Sequence, residues 1–411
     1  MSYSLVPSLR FKGFNEPLTP FPLIKLAENN LSNGVFNDAK LVGSGYKLIN
    51  VKDIYVGDKI EVNNLTLLNI GEPEFKRNQV KYGDIFFTRS SIVPSGIAYS
   101  NVNLSSDDDL TFDGHLMKMS PDQELVEPYY LSAKFKTWTL RKRFISRGKQ
   151  STMTTIGQSD IADIPVEIPS KEEQQKIASF LTSVDSKISQ LTEMHRLLKE
   201  YKKGVMQQIF SQQLRFKDED GKAFPEWKAR LFSEFINAKS ELPTKLFSGD
   251  LCSLTIKNGI EIKPSRYIRE HLVKDIESAY KVVQVGDFVI NPMNVRFGAL
   301  GVNHHYKPVL ISKYYDVFEC DKTVNHVYFE IYLLSQQMLN HYNRVATGTL
   351  EEKKRVHFSE FLKFKKELPC LQEQQKIAQF LQSIDKKIDA VAQQVEQTKQ
   401  FKKGLLQQMF V

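Results

Sequence analysis

Asn291-Pro292-Met293-Asn294 is the string closest to a catalytic motif in this chain. An Asn beside proline can hold an amino group for methyl transfer. That chemistry also uses a second proline and an aromatic residue that stacks on a flipped base, and both are missing here. The string reads as a loop. His304-His305 is an isolated pair, outside any Cys/His cluster or HExxH motif, and reads as a surface or loop feature. Asp107-Asp108-Asp109 and Asp218-Glu219-Asp220 read as solvated loops. No GxxxxGK[ST] phosphate loop and no GxSxG elbow occurs. Cys252, Cys320 and Cys370 are scattered and form no CxxC pair. No catalytic residue and no metal ligand is expected.

Binding residues are easier to find. The formal net charge is +8, which favours a polyanionic partner because Lys and Arg neutralise phosphates and release counterions. A basic and aromatic stretch runs from Lys134-Phe135-Lys136-Thr137-Trp138 through Arg141-Lys142-Arg143 to Arg147-Gly148-Lys149-Gln150-Ser151-Thr152. Lys142, Arg147 and Lys149 suit phosphates there, and Gln150 and Thr152 could read base edges. Arg89, Ser90 and Ser91 follow a predicted strand and join the set. The second half offers counterparts in Asn291, Asn294 and Arg296, and in Thr347, Thr349, Lys353 and Arg355.

These residues sit inside a duplication. Residues 173–189 read EQQKIASFLTSVDSKIS and 373–389 read EQQKIAQFLQSIDKKID. Between 171–210 and 371–410, 19 of 40 positions are identical at an offset of 200 without a gap. Ile168-Pro169 and Leu368-Pro369 precede the copies, and Gly148 and Gly348 keep the same offset. The Leu-Arg-Phe-Lys string at 9–12 recurs at 214–217, just after the first repeat segment, and Phe-Pro follows each copy. By symmetry the second segment should also be followed by this string. The N-terminal copy can fill the gap if the chain ends meet, which makes the halves a ring about an approximate two-fold axis.

Each repeat segment carries the spacing of a coiled-coil seam. In the first it runs Ile177, Leu181, Val184, Ile188, Leu191, His195, Leu198, Lys202, Val205, Ile209. In the second it runs Ile377, Leu381, Ile384, Ile388, Val391, Val395, Thr398, Lys402, Leu405, Met409. About 40 residues give a helix of roughly 60 Å. Pro169 and Pro369 mark the starts, and Gly204 and Gly404 are places where each could bend. A two-fold axis across the pair makes the helices antiparallel, with the domains at opposite ends of the rod.

Between the helices lie two divergent segments of mixed α/β character. Strands are predicted at 84–88, 163–168, 281–290 and 314–319, helices near 126–147 and 327–345, and tight turns at the Gly-Asp pairs 57–58, 83–84 and 286–287. The expected fold class is α+β. Two mixed α/β domains, 14–168 and 222–368, flank an antiparallel coiled coil built from 169–221 and 369–411, and 1–13 completes the distal repeat. No run approaches 18 consecutive apolar residues, no secretory signal opens the chain, and no disulfide framework is evident, so a cytoplasmic protein without a membrane partner is expected.

With the motifs EQQKIA-F-L-S-(V/I)-D-KI, the Ile/Leu-Pro steps and the LRF segments in view, the chain resembles the specificity subunits of type I restriction–modification enzymes. The resemblance covers essentially the whole length. It departs from some relatives in lacking short tandem repeats in the central helix, and Trp227 has no counterpart at Pro22-Leu23-Ile24-Lys25. It implies two target-recognition domains that each read half of a bipartite double-stranded DNA site. It implies two methylation subunits docked on the helices and two restriction subunits in the full complex. S-adenosylmethionine, ATP and Mg would sit on those partners, not on this chain. A related system with one fused nuclease–methyltransferase partner, and a coiled-coil adaptor without a DNA role, are the alternatives.

Overall fold

The computed structural model describes residues 7–150, 152–243, 249–263 and 279–410. The chain forms two compact units, Met1–Thr192 with Gln393–Val411, and Glu193–Ala392. The division falls inside the two long helices, Lys171–Phe210 and Leu371–Met409.

In unit 1 the central antiparallel sheet has the order Ser32–Asn33, Leu116–Met119, Ile85–Thr88, Ser100–Val102. The strand Ile85–Thr88 is buried on both faces, which explains its unbroken apolar run in place of an alternating one. Phe87 packs among Phe135 and Phe144 of the helices Pro128–Phe135 and Trp138–Ser146. Phe86 points the other way, against Phe112, into a second cluster with Ile49, Ile54 and Leu116. Before the strand, Gly83 turns with φ +90°, and Asp84 fixes the turn by accepting from Lys81 N at 2.8 Å. A Cβ at Gly83 would meet Pro128 Cγ at 2.9 Å, so glycine is required on both counts. A smaller sheet of Val42–Ile49, Thr66–Leu68 and Leu110–Phe112 includes the parallel pair Lys47↔Leu110. Thr19–Pro22 pairs with Pro165–Ile168 just before the first long helix.

Unit 2 repeats this plan. Its central sheet runs Ile236–Lys239, Asp316–Cys320, Phe288–Ile290, Leu300–Val302. Gly286 turns with φ +87°, and Asp287 accepts from Gln284 N at 2.9 Å. Lys228–Leu231 pairs with Lys365–Leu368 ahead of the second long helix. The strand expected at 281–290 is two strands, Tyr280–Val283 and Phe288–Ile290, split by this Gly-Asp turn. Each single helix expected at 126–147 and 327–345 is a pair. Thr137 begins a new helix in unit 1, and Ser335 caps a second in unit 2 by accepting from Met338 N.

The long helices are unbroken through Gly204 and Gly404. In unit 1, Ile177, Leu181 and Val184 share one core with Leu405, Met409 and Phe410. In unit 2, Val205, Ile209 and Phe210 share one with Ile377, Leu381, Ile384 and Ile388. Leu191 and Val391 are buried, while Ile188, Leu198 and Val395 are half-buried. The opening half of one helix thus packs with the closing half of the other in each unit, the pattern an antiparallel pair makes. The Lys at each seam is ion-paired: Lys402 with Asp185, and Lys202 with Asp385, each at 2.5 Å.

The repeat motifs clamp each helix start. Gln174 accepts from Glu127 N at 3.0 Å and donates to Pro169 O at 3.0 Å and Leu125 O at 3.2 Å. Gln374 accepts from Asn325 N at 2.8 Å and donates to Pro369 O at 2.9 Å. Leu9 N donates to Gln408 O in unit 1, and Leu214 N to Gln208 O in unit 2. The N-terminal segment therefore meets the end of the second long helix as residues 214–217 meet the end of the first.

Candidate nucleic-acid interface

In unit 1 the dispersed polar candidates converge on one small sheet. Lys149–Gln150 pairs with Thr154–Thr155, which pairs in turn with Ser90–Ser91. Ile156 N donates to Arg89 O at 3.0 Å and extends the join. Gly148 opens this hairpin because its backbone passes close to Thr154, whose Cγ2 would lie 2.8 Å from an added Cβ. Gln150 and Thr152 are exposed, Ser90 and Ser91 are half-buried, and Ser151 lies outside the described residues. Two exposed apolar side chains flank the sheet, Ile92 (84% exposed) and Met153 (40%), and sequence reasoning missed both. Apolar side chains of this kind can touch a thymine methyl.

The basic stretch behind this sheet divides into two kinds of residue. Lys142 is exposed, with its ammonium 5.1 Å from the Trp138 ring. Arg147 and Lys149 are exposed but already face carboxylates, Asp163 at 3.2 Å and Asp160 at 2.8 Å. The Lys149 hydrogen bond lowers the Asp160 carboxyl below its ordinary range. Arg141 points inward and donates to Ala98 O at 2.5 Å, Ile97 O at 2.6 Å and Ser95 O at 2.8 Å. It fixes the loop that follows Ser90–Ser91. Arg89 is half-buried and donates to Gly114 O at 2.9 Å. Lys134 is fully buried, and burial pushes its amine down to about 8.

Unit 2 builds the same kind of surface. Thr347 and Arg355 face each other across an antiparallel bridge, and Val356 N donates to Pro292 O at 2.9 Å, which brings the hairpin to the loop after the central strand. Gly348 has φ +153°, and an added Cβ would meet Lys354 Cα at 2.9 Å. Asn291 accepts from Met293 N at 3.1 Å and shapes the loop, and Asn294 N donates to Asn291 O. Asn294, Thr347, Thr349, Lys353 and Arg355 are exposed. Arg296 does not present a cation as expected. It is 6% exposed and ion-paired with Glu351, donates to Glu351 O at 2.5 Å and lies over the Phe297 ring. Hydrogen bonds from Lys354 and Arg296 hold the Glu351 carboxyl down at about 2. Arg296 therefore shapes the hairpin from beneath.

Among the described residues, no group of three or more His, Cys, Asp or Glu side chains is placed to hold a metal. His304 instead bonds Glu330 at 2.8 Å, which raises its pKa. No helix among the described residues is long and apolar enough to cross a membrane.

The family profile described as "Type I restriction modification DNA specificity domain" matches residues 40–199 and 272–400, well over half of the chain. The chain belongs to the type I restriction–modification specificity subunits. Such a subunit has a DNA-recognition role, which sets aside an adaptor without one. This specificity subunit is 21% identical over 313 residues to the type I restriction enzyme MjaVIII specificity subunit of Methanocaldococcus jannaschii, covering 71% of each chain. It is 23% identical over 169 residues to the putative MjaX specificity subunit of the same organism, covering 41% of this chain and 39% of that one. With the EcoDI specificity subunit of Escherichia coli it shares 32% identity over 89 residues, 20% of each chain. In fold it is similar to the S subunit of a type I system from M. genitalium, with TM-score 0.55, 14% identity and 99% of each chain covered. The HsdS subunit of Thermoanaerobacter tengcongensis gives TM-score 0.50 at 15% identity, covering 97% of this chain and 98% of that one.

Proposed function

We propose that the two units are separate readers of the two halves of a bipartite double-stranded DNA target. The observation that carries this reading is the recurrence of one surface in two diverged units: a glycine-opened polar hairpin joined to the loop after the central strand. Backbone geometry is repeated while the exposed side chains differ, as expected if the frame is shared and the sequences read are not. Exposed Lys142 in unit 1, and Lys353 and Arg355 in unit 2, suit phosphates, and Gln150, Thr152, Asn294, Thr347 and Thr349 suit base edges.

In this reading the specificity subunit is non-catalytic. Its long helices dock two methylation subunits, with two restriction subunits added in the full complex, and direct adenine-N6 methylation or restriction. S-adenosylmethionine, ATP and magnesium belong to those partners. The domains run over 14–168 and 222–368, with 1–13 completing the distal repeat beside 369–411. The test is methylome sequencing of cells carrying this gene, lacking it, or carrying it with 14–168 replaced by the corresponding domain of a relative. Loss of one methylated motif on deletion, and change of one half of that motif on replacement, are expected. A replacement that alters both halves would overturn independent reading.

A further inference from the structure

In unit 1 the turn ahead of the strand Leu116–Met119 holds out the ring of His115. Its side chain is 69% exposed, while Asp113 beneath it is buried. One Asp113 carboxylate oxygen accepts from His115 N at 2.7 Å and lies 2.7 Å from Nδ1. Asn37 donates to the other oxygen at 3.0 Å. An exposed ring held by a buried carboxylate adds nothing to the core. What the arrangement secures is the direction of the ring. With Nδ1–H donated to Asp113, the neutral imidazole carries its lone pair on Nε2. Among the described residues Nε2 has no hydrogen-bond partner.

His115 adjoins the polar hairpin of its unit. The central strand pairs in the register Thr88↔Leu116, and Arg89 N continues the ladder by donating to His115 O at 3.1 Å. On its other side Arg89 O accepts from Ile156 N at the hairpin foot. Unit 2 repeats the construction with different residues. Val356 N donates to Pro292 O as Ile156 N does to Arg89 O. The register Ile290↔Asp316, carried on by two residues, sets Tyr314 opposite Pro292. Ser312 takes the place of Asp113: its Oγ accepts from Tyr314 N at 3.5 Å. Its backbone oxygen accepts from Tyr315 N at 3.1 Å, as that of Asp113 does from Leu116 N at 2.9 Å. Tyr314 is 79% exposed. Each unit thus sets one exposed polar ring beside its hairpin foot, on the same turn.

We infer that His115 and Tyr314 are specificity-determining residues, each reading one base pair beside those read by its own hairpin. His115 accepts on Nε2 from an exocyclic amine in the major groove, adenine N6 or cytosine N4. Tyr314 uses its hydroxyl, which can donate and accept. The inference rests on the proposed reading of one half-site by each unit.

The test uses the full chain with its methylation subunits, on the target found by methylome sequencing and on duplexes changed at one base pair at a time. His115→Ala is expected to lower discrimination roughly tenfold at one base pair of one half, with the other positions, the salt slope and the Tm unchanged. Tyr314→Phe is expected to do the same in the other half. At the base pair that His115→Ala relaxes, adenine is replaced by purine, or cytosine by a pyrimidinone without the amine. This is expected to weaken the parent roughly tenfold and His115→Ala hardly at all. An equal loss in the two proteins overturns the amine contact. Variants that weaken all duplexes alike, or that keep full discrimination, overturn the assignment of both rings while the two-reader proposal stands. A parent chain without a two-part preference overturns both.

Discussion

Arg10 holds the carboxylate of Glu173 with both Nε and Nη2, and Arg215 holds Glu373 with the same two atoms. Glu173 is 2% exposed, so its charge depends on this partner. Arg10→Met leaves a buried carboxylate unpaired, and a loss of roughly 3–5 kcal/mol is expected in urea denaturation. Adding Glu173→Gln removes the orphaned charge and is expected to recover part of that loss. If Arg10→Met alone leaves the urea midpoint in place, the N-terminal segment does not clamp the helix start.

Gln174 and Gln374 make a second, independent pair of clamps. Gln174→Ala orphans Pro169 O, Leu125 O and Glu127 N around a fully buried position. Unsatisfied buried groups of this kind add up to a loss of about 2–4 kcal/mol. Gln374→Ala should cost a similar amount in unit 2. Hydrogen exchange provides the check, because each change should raise exchange in its own unit: near Glu127–Tyr130 for Gln174→Ala, and near Asn325–Tyr328 for Gln374→Ala. Faster exchange at both places from one substitution would show that the two clamps are not local.

Burial pushes the Lys136 amine down to about 8, against the opposing pull of Asp58, and burial likewise takes Lys134 to about 8. In the unfolded chain a lysine keeps its ordinary value near 10.5. Between pH 8 and 10.5 the unfolded chain therefore binds more protons, and these two groups make stability rise with pH across that window. Below pH 8 their penalty is fully present. Lys136→Met should remove about half of this rise, read as the difference between the urea midpoints of variant and parent at pH 7.5, 9 and 10.5. A constant difference across the three would mean that Lys136 is not desolvated.

The repeat frame was legible because it is local and doubled. EQQKIA announces a helix start twice, and the seam spacing that picks out Leu181 and Leu381 also picks out residues with no exposure. The Gly-Asp turns at 83–84 and 286–287 follow from glycine's freedom at positive φ. What escaped is set by distant backbone. Arg141 and Arg296 look like surface cations in the sequence, and no local pattern announces the carbonyls of Ala98 and Glu351 that hold them. The bond between Asp58 and Lys402 joins residues from nearly opposite ends of the chain, so no spacing rule could reveal it.

Lys142 and Gln150 separate positioning from reading on the unit 1 surface. Lys142 is exposed, with its ammonium 5.1 Å from the Trp138 ring, so its charge is available to a phosphate. Lys142→Ala, measured with methylation subunits present, should weaken binding to all duplexes alike. It should also flatten the slope of log K against log salt by up to about one unit. Gln150 lies on the exposed outer strand of the small sheet, opposite Thr154. Gln150→Ala should lower discrimination by about 1–3 kcal/mol at one base pair and leave the salt slope nearly unchanged. Lys149→Ala should matter less than Lys142→Ala, because Asp160 already competes for that ammonium. Fluorescence titrations over a salt series on cognate and scrambled duplexes distinguish these outcomes. If Lys142→Ala and Gln150→Ala both match the parent on both duplexes, the 149–155 hairpin does not face DNA. Ser90, Ser91 and the exposed Ile92 would then be the next residues to substitute.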